Sequence, residues 1–146
     1  MRRSYTPQMV HMSYWEFFQH YYTPKLAEMD LTLKTIEAPI PVAEAGRILG
    51  LRSDAIKKIM AQKAIQQLDH EGLIQIIMHG KSSLCQLLQR EFKCGSPDQY
   101  SPENIAYIYG LQSEHVQSVC HQEGYEYVPA ESLPAVLSKL YIYILQ

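Results

Sequence analysis

Val42-Ala43-Glu44-Ala45-Gly46-Arg47-Ile48-Leu49-Gly50-Leu51-Arg52-Ser53-Asp54-Ala55-Ile56-Lys57-Lys58-Ile59-Met60-Ala61-Gln62 is the stretch that decides the fold. Its first eight residues are amphipathic, Gly50 supplies a tight turn, and Ser53 is placed to cap a second helix running from Asp54 to about Gln62. Ile56, Ile59 and Met60 fall on the inward face of that helix, so Ala45, Ile48, Leu51, Ile56 and Ile59 would form one small core. The layout returns at an offset of 60 residues in Ser101-Pro102-Glu103-Asn104-Ile105-Ala106-Tyr107-Ile108-Tyr109-Gly110-Leu111-Gln112-Ser113-Glu114-His115-Val116-Gln117-Ser118-Val119-Cys120. Ile48/Ile108, Gly50/Gly110, Leu51/Leu111 and Ser53/Ser113 are identical, and Ala45/Ile105, Asp54/Glu114, Ile56/Val116 and Ile59/Val119 are conservative. The identities sit at the turn, the cap and the core, where a helix-turn-helix is most constrained.

Upstream, Ala38-Pro39-Ile40-Pro41 ends a helix, because each proline biases its predecessor out of the helical region. That helix is expected over about Pro24 to Ile36, with Thr23 as N-cap and Leu26, Met29, Leu33 and Ile36 at helical spacing. Before it, Ser13 caps a short aromatic helix through Tyr22, which gives an N-terminal helical hairpin over residues 1–40. Between the two units, Leu73-Ile74-Gln75-Ile76-Ile77-Met78 suits a buried strand or a helix and is assigned to helix, while Asp69-His70-Glu71 reads as a loop or helix end. Ser82 or Ser83 caps the next helix, whose apolar face is Leu84, Leu87, Leu88 and Phe92 and which Gly95 stops. Gly95-Ser96-Pro97-Asp98 is a second linker, so 41–95 and 96–146 are the remaining segments. Gly124 to Pro129 reads as a short strand, and Ala130-Glu131-Ser132-Leu133 opens a final helix rich in Leu and Tyr. The fold class is therefore mainly α: a helical hairpin, then two helix-turn-helix units with at most a short strand or wing after each.

Composition bounds the function. With 146 residues, 47% hydrophobic and 19% charged, the chain can bury a core. No apolar run approaches the roughly 20 residues of a membrane span, and the N-terminus lacks a secretory pattern, so a cytoplasmic location is expected. Cys85, Cys94 and Cys120 form no paired spacing, which fits a reducing compartment. The net charge of −2 conceals a gradient. Residues 1–63 carry nine Lys and Arg against six Asp and Glu, 64–100 three against four, and 101–146 only Lys139 against five. Phosphate contacts thus belong to the first half, and the last third should repel a duplex.

The helix, the Gly-Leu turn, the Ser-capped second helix and the closing Glu-Gly-Tyr-Glu-Tyr-Val-Pro-Ala-Glu-Ser-Leu at 123–133 resemble the small winged helix-turn-helix domains of MerR and excisionase-type regulators. The resemblance covers Pro41 to Met60 and Ser101 to Leu140. It implies that the second helix of a unit enters the major groove, with the cap and first exposed turn touching DNA. In the first unit those positions are Arg52, Ser53, Asp54, Lys57 and Lys58, with Lys63, Arg2 and Arg3 as further cations. In the second they are Gln112, Ser113, Glu114, Gln117 and Ser118, none of them basic.

Catalysis and metal binding find little support in the spacing. His11, His20, His70, His79, His115 and His121 form no His-x3-His pair and there is no Cys-x2-Cys. No phosphate loop, nucleophile elbow or carboxylate pair is present, so no cofactor, no metal and no enzyme activity are expected. Two functions fit. The first is a bacterial or phage-type regulator that binds duplex DNA through Arg52, Ser53, Lys57, Lys58 and Lys63. The second is an adaptor or inhibitor that grips a protein partner, or forms a homodimer, through Tyr14, Trp15, Phe18, Glu114 and Gln117, since aromatics are enriched at interfaces.

Overall fold

A tight Gly turn between two short amphipathic stretches leaves the chain little choice but to fold the second helix back on the first, and it does so twice. The computed structural model describes residues 9–95 and 97–145. Its elements run β1 (Met9–Ser13), α1 (Tyr14–Tyr21), α2 (Thr23–Thr35), α3 (Val42–Leu49), α4 (Ser53–Gln62), α5 (His70–His79) and α6 (Ser83–Lys93). Then come β2 (Gln99–Tyr100), α7 (Pro102–Tyr109), α8 (Ser113–Gln122), β3 (Val128–Pro129), a 3-10 turn (Ala130–Ser132), α9 (Leu133–Leu137) and β4 (Tyr141–Leu145). The chain is mainly helical, with short antiparallel strand pairs, as its periodicity requires.

The helices gather into two compact units that cut across the segments read from the sequence. One unit is Tyr22–Pro97, which holds α2 to α6; the other joins β1 and α1 to everything from Asp98 onward. The boundary falls between Pro97 and Asp98, and Ala38 to Pro41 lies inside the 22–97 unit. The division has a backbone cause: β1 pairs antiparallel with β4 in the register Met9↔Leu145 to Ser13↔Tyr141, and the Tyr14 N–H donates to Leu140 O at 2.6 Å. The C-terminal stretch expected to be helix is therefore strand beyond Leu140. Tyr141-Ile142-Tyr143-Ile144-Leu145 is made of aromatic, β-branched and leucine residues, and it finds a partner more than a hundred residues away.

In the 22–97 unit, α2 opens with Thr23 already helical and Tyr22 at the cap position, so Thr23 does not cap as expected; Pro24 fills the first turn, where its missing N–H is harmless. Asp69 caps α5 by accepting from the Gly72 N–H at 2.6 Å, and Ser82 caps α6 by accepting from the Cys85 N–H at 3.2 Å. The run 73–78 is helix, with Leu73, Ile76 and Ile77 buried. On α6, Leu84, Cys85 and Leu87 turn inward but Phe92, in the last turn and expected on the apolar face, is 62% exposed. The Gln89 amide donates to both Ile77 O and Gly80 O at 2.8 Å, which ties α6 to the end of α5.

The offset of 60 holds in the backbone bonds as well as in the residue types. Leu51 N–H donates to Gly46 O as Leu111 does to Ala106, both at 2.9 Å, and Ile56 to Arg52 as Val116 to Gln112, both at 3.1 Å. Gly50 and Gly110 both take the left-handed turn, at φ 70° and 66°. Past the second helices, Ile65 N–H donates to Met60 O and Tyr125 N–H to Cys120 O, each at 2.8 Å. Tyr100 pairs with Val128 in β2 and β3, and the equivalent Ile40 N–H donates to Leu68 O at 2.7 Å. Each unit thus closes its helix-turn-helix with one strand-like pairing in place of a long wing.

One equivalence is strained. Gly124 has φ 78°, and at the same place in the 22–97 unit Ala64 is held at φ 54°, the one non-glycine with positive φ among the described residues. A Cβ in that region costs about 1 kcal/mol or more. Ala64→Gly should therefore raise the stability of this unit by roughly 0.5–1 kcal/mol, the relief of strain being partly offset by the added freedom of the unfolded chain. A denaturation midpoint that stays put or falls in A64G would contradict this.

Candidate nucleic-acid interface

The first unit's second helix sets out its side chains by a simple rule: one buried anchor and a polar outer face. On α4, Ile56 is 0% exposed and Ile59 and Met60 are half-buried, as the spacing predicts. That leaves Ser53, Asp54, Lys57, Lys58, Ala61 and Gln62 exposed on the opposite side. Lys63 follows at the C-terminal cap position, also exposed. Of the expected DNA contacts, then, Lys57, Lys58 and Lys63 stand on or beside one helix, and no ion pair among the described residues engages them. Arg2 and Arg3 lie outside the described residues.

Two expectations are corrected. Ser53 is the first helical residue and its hydroxyl caps nothing; the cap position falls on Arg52, whose side chain has no acceptor to offer. Arg52 itself is not an unencumbered base reader, because its Nε lies 3.3 Å from the Asp54 Oδ1 in a pair 86% and 73% exposed. A pair that open contributes about 0–1 kcal/mol, so a phosphate or base edge can displace the aspartate.

Sequence reading missed the role of Arg47. Its Nη1 lies 2.7 Å from Glu28 Oε2 on α2, and its Nη2 lies 2.5 Å from Glu44 Oε1. The fork satisfies two carboxylates at once, which holds Glu44 below the usual carboxylate range through the Arg47 hydrogen bond and pushes the guanidinium still higher. Lys25 Nζ donates to Arg47 O at 3.1 Å. Arg47 thus links α3 to α2 and is withdrawn from any phosphate. An i, i+3 spacing of Glu44 and Arg47 was the available signal; Glu28, nineteen residues away, gave none.

The second unit repeats the geometry without the cations. Val116 is 0% exposed on α8, while Ser113, Glu114, Gln117 and Ser118 are exposed. The Gln117 amide donates to Ser113 Oγ at 3.2 Å and, more loosely, to Glu103 Oε1 at 3.4 Å. Lys139, this unit's one Lys or Arg among the described residues, is engaged by Glu123. The aromatic candidates for partner contact divide. Tyr14 is 5% exposed and packs on Phe17, Phe18 and Tyr109, so it is a core residue and not a contact surface. Trp15 and Phe18 are half-buried and stacked on each other, with centroids 5.8 Å apart.

No group of three or more His, Cys, Asp or Glu among the described residues is placed to hold a metal. Burial pushes the Cys85 and Cys120 thiols up, away from the thiolate a nucleophile needs. Two clefts of the 22–97 unit, about 590 and 490 Å³, share Asp69 and Glu71 in their walls. No helix of the described residues is long and apolar enough to cross a membrane. No protein-family model, curated protein or solved structure matches the chain.

Proposed function

We propose that the chain is a small DNA-binding regulatory protein of bacterial or phage type, working in the cytoplasm, whose 22–97 unit binds duplex DNA through α4. The observation that carries this reading is the exposed set Lys57, Lys58 and Lys63, which no ion pair among the described residues engages, beside a helix anchored by Ile56. Lys57 and Lys58 neutralise phosphates, Lys63 adds a third contact, and Ser53 donates a hydroxyl to the backbone at the helix start. Arg52 exchanges Asp54 for a base edge. A guanidinium bidentate to guanine supplies about 1–3 kcal/mol of discrimination.

Charge supports the division of labour. The 22–97 unit holds ten Lys and Arg against eight Asp and Glu, while the other unit holds one against seven among the described residues. The acidic unit is assigned to contact with a protein partner or a second copy, with Glu114 and Gln117 on its exposed α8 face. The rival reading, an adaptor that binds protein through both units, draws on that same acidity.

Fluorescence anisotropy of the purified protein with random duplex at several salt concentrations separates the two. With about two to four phosphate contacts, log affinity should fall with log salt at a slope of roughly 2–4, close to 0.9 per contact. Absence of binding even at low salt would leave the adaptor.

A further inference from the structure

The acidic unit carries a cleft of about 300 Å³ between the start of α7, the inner edge of α8 and the segment leading to β3. Glu103, Gln117, Tyr125, Glu126 and Tyr127 form its walls and Cys120 is the buried member of its lining. Glu103 and Glu126 are exposed, Tyr127 is 55% exposed, and no ion pair among the described residues neutralises either carboxylate. The 60-residue repeat makes a direct comparison possible. The equivalent positions in the 22–97 unit are Ala43, Lys57, Ile65, Gln66 and Gln67, where Glu103, Gln117, Tyr125, Glu126 and Tyr127 stand here. One face of a duplicated helix-turn-helix thus presents a cation and amides in one copy, and two carboxylates with tyrosines in the other.

We propose that this cleft seats an arginine or lysine side chain from a basic segment of a protein partner, with Glu103 and Glu126 pairing the charge and Tyr125 and Tyr127 packing on its stem or face. Guanidinium and ammonium groups are drawn to carboxylates and to tyrosine rings alike, and the two attractions reinforce one another where water is partly excluded. Duplex DNA is repelled by the same pair of carboxylates. A basic segment of a protein is the occupant that matches both the carboxylates and the tyrosine walls. The proposal rests on the assignment of the acidic unit to protein contact and stands whether or not α4 binds DNA.

The test is a titration of the full chain with the peptide acetyl-Gly-Arg-Gly-Lys-Gly-Arg-Gly-amide, followed by amide chemical shifts. Saturable shifts should concentrate at Glu103, Gln117 and 125–127. Glu103→Gln with Glu126→Gln should weaken binding about tenfold or more, and Tyr127→Ala should weaken it independently. Lys57→Glu with Lys58→Glu should leave peptide affinity unchanged, which separates this outcome from the fate of the DNA reading. Shifts spread equally over Asp98, Glu114 and Glu131, or affinity untouched by the double Gln variant, would overturn the proposal. Sedimentation of the chain alone completes the test. Self-association abolished both by E103Q/E126Q and by K57E/K58E would replace the foreign basic segment with the α4 face of a second copy.

Discussion

Ile56→Ala should lower the stability of the 22–97 unit by about 2–5 kcal/mol, a loss comparable to the whole margin of a small domain. Ile56 is fully buried, and its Cδ1 reaches so close to Gly46 that a Cβ added there would lie 3.4 Å from it. The helices cannot close over the space left behind. The Leu51 N–H bond to Gly46 O at 2.9 Å fixes the turn, and Ile48 and Leu49 of the preceding helix are themselves nearly fully buried. The result therefore combines lost burial with an uncollapsed cavity. Ile56→Val removes one carbon and should cost about 0.5–1.5 kcal/mol. At the equivalent site of the acidic unit, Val116→Ala deletes a smaller side chain and should cost less than Ile56→Ala. Denaturant midpoints that shift with an unchanged slope would report these values. An Ile56→Ala midpoint within experimental error of wild type would mean that α4 is not anchored as described.

The helix-turn-helix units were readable because their signals are local. Glycine at 50 and 110 and apolar residues at helical spacing are each constrained by neighbours within one turn, and the backbone obeys them at both copies, although the serine three positions on opens the second helix without capping it. The caps at Asp69, Ser82 and Ser101 are equally local, since each accepts from an N–H three residues ahead. What could not be read was pairing between distant segments. Nothing around Tyr141 to Leu145 announces that Met9 to Ser13 lies beside it, and without that partner a Leu- and Tyr-rich run after a helix start reads as more helix. The same gap hid Glu28 from Arg47. Of the site, the exposed lysines were legible from periodicity alone, but the pairing of Arg52 with Asp54 depends on side-chain reach at a helix start. The cleft around Glu103 and Tyr127 needs the fold, because its walls come from three stretches of chain.

Lys57→Glu with Lys58→Glu should reduce affinity for random duplex by about a hundredfold at moderate salt and lower the salt slope by about 1.8. Two separate effects are combined in that number. Losing two cations removes two sites of counterion release, and the slope reports this part alone. Adding two anions beside phosphate introduces repulsion, which acts on affinity beyond the slope. Lys57→Gln with Lys58→Gln isolates the first, since it should reproduce the slope change with a smaller loss of affinity. Both side chains are exposed and outside every ion pair among the described residues, so stability should stay within about 0.5 kcal/mol and the fold should be intact in both variants. Arg52→Ala gives the complementary result. It should affect a preferred sequence more than random duplex, because a base contact discriminates where a phosphate contact does not. An unchanged slope in both lysine double variants would remove α4 from the DNA surface, and with it the regulator, leaving the acidic unit and its cleft as the functional part of the chain.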